Sequence, residues 1–153
     1  MSSPEGSTVT FRRSPSDVRP RALANFARRL QNEVAGGRPF DTLITGDAEL
    51  RRLNRDFRGK DSATDVLSFP SAASGDRKIA VLGDLAISLA RARAQAREFG
   101  HTTEQEVRIL MLHGLLHLLG MDHESDRGRM ARAEKRWRTD LGLPNGLIER
   151  VQQ

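Results

Sequence analysis

The sequence predicts one domain of the α/β or α+β class, built on a small sheet of about four strands with about five helices. Three observations carry this. Apolar residues recur with helical spacing in five stretches and with strand character in four others, and the two kinds are interspersed. The 153 residues hold no internal repeat, no low-complexity tract and no linker long enough to divide them. With 37% apolar and 29% charged residues, the chain can bury a core without a disulfide or a metal to hold it.

The elements follow in order. Residues 1–7 and 144–153 read as frayed tails of a single 1–153 domain. Residues 8–13 (TVTFRR) alternate like a strand. Ser16 or Asp17 can cap a helix starting near Pro20. Its face is Leu23, Phe26, Ala27, Leu30 and Val34, and Gly36-Gly37 ends it. Residues 40–45 (FDTLIT) form a second strand. Gly46-Asp47 caps a helix over residues 48–57, with Leu50, Leu53 and Phe57 on one stripe. After a loop at 59–62, residues 65–69 form a short strand stopped by Pro70, and 71–77 are a polar connection. Residues 79–87 form another strand, where Gly83 marks a bulge or a close backbone approach. A helix over 88–99 stops at Gly100. Thr102 or Thr103, with a glutamate downstream, opens the next as a capping box. That helix runs through Val107, Leu110, Met111, Gly114 and Leu118 to Gly120. Ser125 caps a last helix to about Leu141, with Met130, Ala133 and Trp137 on its inner side. The strand order is not readable.

Composition narrows the chemistry. Cysteine is absent, which excludes a disulfide scaffold, a cysteine nucleophile, a zinc ribbon and an iron–sulfur site. A metal must be held by His, Asp or Glu. The net charge is +5, and only Lys60, Lys78 and Lys135 of the cations are lysines. Arginine's planar fork suits phosphate, which points to a polyanionic partner. The first residues lack a basic stretch followed by an apolar one, so no secretory signal is expected. The apolar run at 109–121 is broken by His113 and His117 and is too short for a bilayer. A cytoplasmic protein without a membrane partner is the expectation.

Three of the four histidines lie in residues 113–123, HGLLHLLGMDH. His113 and His117 stand at i and i+4, so their rings leave one helix face about 5–6 Å apart at Cβ. Two imidazoles so placed can share one zinc ion at about 2.0–2.1 Å. Gly120 can take the left-handed conformation that reverses the chain and returns His123 as third ligand. Three nitrogen ligands leave one position open, as catalytic zinc sites do. The other reading is a polar pocket binding phosphate through imidazolium groups. A zinc protease of the H-E-x-x-H type carries Glu after the first histidine; here that position is Gly114, which disfavours peptide hydrolysis. Asp122 is placed to hydrogen-bond a ligand imidazole or the turn backbone from behind the ligands, or to assist a water. His101 reads as a surface or helix-capping residue.

At these residues the chain resembles the bacterial YbeY-type endoribonucleases, also called rRNA maturation factors. Their signature H-G-x-L-H-L-x-G-x-D-H matches residues 113–123 at every fixed position. Two further blocks fit: Leu53-Asn54 with Phe57-Arg58-Gly59-Lys60-Asp61 and Thr64-Asp65-Val66-Leu67-Ser68-Phe69-Pro70, then Leu82-Gly83-Asp84-Leu85. Met121 stands where an aromatic residue is common. The resemblance implies an α+β fold with the metal-bearing helix beside a mixed sheet. It implies a single-strand-specific, zinc-dependent endoribonuclease acting in 16S rRNA 3′-end maturation and ribosome quality control with the small subunit. It makes His113, His117 and His123 the ligands of one zinc ion and Arg58 the basic residue facing the metal cleft. Asp65 and Asp84 read as structural. With no Tyr and one Trp, binding of single-stranded RNA is expected to lean on arginine–phosphate contacts. The competing readings are a non-catalytic ribosome assembly factor with a structural metal and a metallohydrolase of small molecules or peptides.

Overall fold

The computed structural model describes residues 6–13, 15–71, 81–122 and 125–152. Four strands, β1 (Thr8–Phe11), β2 (Asp41–Thr45), β3 (Val66–Pro70) and β4 (Gly83–Ser88), form one sheet in the order β1-β2-β4-β3. β2 runs parallel to β1 and to β4, and the edge strand β3 is antiparallel to β4. The mixed sheet makes the fold α+β. The described residues also form six helices: α1 (Pro20–Glu33), α2 (Asp47–Arg58), α3 (Leu89–Phe99), α4 (Thr103–Leu118), α5 (Arg129–Asp140) and α6 (Leu147–Gln152).

Strand alternation divides the sheet into two faces. Leu85 and Ile87 of β4 enter the main core with Leu23, Leu30, Leu110 and Leu115. Ala86, between them, joins Leu50 and Leu67 in a second, smaller core under α2. So α4 lies on one face and α2 on the other. α4 is apolar nearly all round, which suits a helix enclosed on every side. Its capping box uses Thr102 and the amide Gln105 in place of an acidic partner. Gly114 lies flat on the sheet, where a Cβ would come within 2.8 Å of Leu85 and 3.2 Å of Val66. The sheet therefore fills the space that a glutamate after His113 would need.

Several expectations need correction. Over its described residues the segment expected as a frayed tail, 144–153, is ordered otherwise: α6 spans 147–152, with Ile148 buried and Glu149 bonded to Arg138 through both oxygens at 2.8 Å. Ser7 is also fixed: its N–H donates to Gln31, and its hydroxyl accepts from the Phe40 N–H. Neither Ser16 nor Asp17 caps α1; Asp17 accepts two bonds from Arg93, which hold its carboxyl below the usual range. Ser125 does not cap the helix after it. α5 begins at Arg129, and Asp126 accepts from the Met130 N–H. Of the two readings of His101 the capping one holds, its N–H donating to the Ala96 carbonyl at the end of α3, but it is no surface residue, because its side chain is buried against Glu106, whose carboxylate also grips Arg150 at 2.7 and 2.9 Å. Phe57 leaves the buried stripe of Leu50 and Leu53 and is 70% exposed. At Gly83, where a close approach was expected, a Cβ would collide with the Phe69 carbonyl. The expected connection at 71–77 and strand start at Ile79 fall largely outside the described residues.

Candidate functional site

The site begins with the helical repeat. His113 and His117 leave the same face of α4, and their rings lie 4.9 Å apart at an interplanar angle of 74°. The helix ends at Leu118. Gly120 then takes a left-handed φ of +90°, its N–H donating to the His117 carbonyl and that of Met121 to Leu116. That reversal is the one Gly120 was expected to make. Asp122 follows in the turn, where its carbonyl and carboxylate accept from the Ser125 N–H and hydroxyl. His123 lies outside the described residues. Among the described residues no three metal-ligating side chains converge on one point.

A residue that the pattern did not single out stands behind the pair. Glu134 of α5 is buried, and its Oε2 lies 2.7 Å from Nδ1 of His113. A carboxylate only accepts, so Nδ1 carries the proton and the ring's tautomer and orientation are set. The other oxygen, Oε1, accepts from the Ile148 N–H at 2.9 Å. Gly146 permits this closure, since a Cβ there would collide with the Glu134 side chain. The signal in the sequence was slight: Glu134 sits four residues after Met130, a carboxylate on the otherwise apolar stripe of its helix.

Arg58 is the last residue of α2 and lines a groove of about 910 Å³ over the α2 face of the sheet. Arg51, Arg52 and Arg55 of the same helix each pair with a carboxylate, whereas Arg58 makes no ion pair among the described residues. Groove and histidine helix thus occupy opposite faces and meet at the edge strand. Ser68 of β3 lines the groove, and its hydroxyl donates to the Gly114 carbonyl between the two histidines at 3.0 Å. Asp84 also lines the groove, with its carboxyl raised above the usual range by burial and by Asp41 beside it. Asp65 is structural, as expected: it accepts from the Val66 N–H and from Gln95. No helix among the described residues is long and apolar enough to cross a membrane.

The family model described as Endoribonuclease YbeY matches residues 11–142. A protein of Solibacter usitatus named Endoribonuclease YbeY is 76% identical over 152 residues, covering 99% of each chain. Its namesake from Koribacter versatilis is 43% identical, over 94% of this chain and 91% of its own. The solution structure of the Thermotoga maritima protein TM1509 superposes with a TM-score of 0.55 at 26% identity, covering 87% of this chain and 93% of that one. Family model and full-length identity together establish that the chain belongs to the Endoribonuclease YbeY family.

Proposed function

We propose that this chain is a zinc-dependent endoribonuclease that cuts single-stranded RNA in the cytoplasm, during 16S rRNA 3′-end maturation on the small ribosomal subunit. The observation that carries the reading is the His113–His117 pair backed by buried Glu134. Two neutral imidazoles with a carboxylate behind one of them are a donor set suited to a divalent zinc ion. His113, His117 and His123 would hold it, with Nε2 of His113 as the coordinating nitrogen. When bound, zinc would supply a Lewis acid for the scissile phosphate and would activate a nucleophile near neutral pH. The chain's own groups do the rest. Glu134 keeps the proton on Nδ1 of His113. Asp122 holds Ser125 through two hydrogen bonds. Arg58 supplies a guanidinium for phosphate charge, and a strand lying in its groove would pass β3 to reach the histidines.

Metal analysis of the purified protein, paired with cleavage of single-stranded and duplex RNA with and without chelator, tests this. About one zinc per chain is expected, with cleavage confined to the single strand and abolished by chelator. Cleavage that persists in a metal-free protein would refute the zinc reading.

A further inference from the structure

We propose that the groove beside Arg58 is a stacking subsite for one unpaired base of the RNA, with the rings of Phe57 and Phe69 as its faces; the proposal rests on the RNA-cleaving reading above. Phe57 is a large ring, 70% exposed, on a helix whose Leu50 and Leu53 turn inward. It meets Phe69 edge to face, with centroids 5.6 Å apart and planes at 70°. The pair forms an apolar corner that water wets at a cost, and a flat heterocycle would cover it.

The sheet beneath has an ordered chemistry. Thr8, Asp41, Asp84 and Phe69 are register partners in one row across all four strands, and all four line the groove. Two residues along, on the same face, Leu43 and Ala86 supply an apolar floor. The aromatic end of the groove therefore carries Arg58, adjacent to Phe57 in the chain, and the two carboxylates lie inward of it, Asp84 beside Phe69 and Asp41 on the strand beyond. Phosphate is drawn to the arginine and repelled by the carboxylates. A nucleotide satisfies both in one orientation: phosphate at Arg58, base on the rings, and its N–H edge towards Asp84. The volume of about 910 Å³ falls within the range of about 300–1,000 Å³ usual for small-molecule sites. Because every base has a π face, the subsite tolerates any sequence but requires an unpaired base, which selects single strands.

The test is equilibrium binding of the full chain to a fluorescent 2′-O-methyl single strand that is verified to stay intact. Phe57→Ala is expected to weaken binding about 5- to 100-fold, and Phe57→Trp to restore it. Folding is preserved because the ring is exposed. Loss of a neutral ring leaves the salt slope of binding unchanged, whereas Arg58→Ala lowers it by about 0.7. An abasic position in the oligonucleotide should weaken binding to the wild type and leave Phe57→Ala indifferent. Wild-type affinity in Phe57→Ala, with Arg58→Ala impaired, would overturn the subsite alone and leave this face to a protein partner. Failure of the wild type to bind single strands at all would overturn the RNA reading with it.

Discussion

Nδ1 of His113 and Oε2 of Glu134 lie 2.7 Å apart inside the protein, joining α4 to α5 at the first residue of the histidine motif. Through its second oxygen the same carboxylate holds the start of α6. One side chain thus orients a candidate ligand and docks the C-terminal segment.

Glu134→Gln is therefore expected to weaken zinc binding about 10- to 100-fold. An amide can still accept from the Ile148 N–H, so the fold should survive. Competition against a chromogenic chelator measures the affinity, and a near-unchanged thermal midpoint checks the fold. Unchanged zinc affinity would show that the contact only supports α6.

His113→Ala and His117→Ala should each lose zinc and cleavage together. Arg58→Glu should keep its zinc and lose cleavage, since a carboxylate in the groove repels the phosphate backbone. Metal content and a gel assay on single-stranded RNA separate the two classes. An active Arg58→Glu enzyme would remove Arg58 from the site.

Gly114→Glu should destabilise the protein by about 3 kcal/mol or more, because it overpacks against Leu85 and Val66 and buries an unpaired carboxylate. Denaturant unfolding reads the change. A tolerated glutamate would mean that α4 can lift from the sheet.

Acid should loosen α6. The Arg138 guanidinium holds the Glu149 carboxyl below its ordinary range, so the folded state favours the ionised form. The resulting stabilisation is complete above the ordinary glutamate range, near pH 4.3, and is lost as pH falls through the lower folded value. Glu149→Gln should be less stable than the wild type at pH 7, and the difference should shrink as the solution is acidified below the ordinary glutamate range. A gap that persists in acid would mean that the ion pair contributes nothing to docking.

The sequence by itself determined five of the six described helices, the i, i+4 histidines and the left-handed turn at Gly120. Each depends on side chains a few residues apart, where backbone geometry alone sets the spacing. It also carried the family resemblance, because three motif blocks are local strings. What only the tertiary structure decided are pairings between distant residues. Periodicity tells which face of a helix is apolar, but not which face of the sheet will meet it. Thus α2 and α4 came to opposite sides, Glu134 met His113 across 21 residues, and α6 became ordered through partners on α4 and α5. Phe57 fits a buried stripe by spacing alone. It stays in the open because the sheet face under α2 runs on past the helix as a groove.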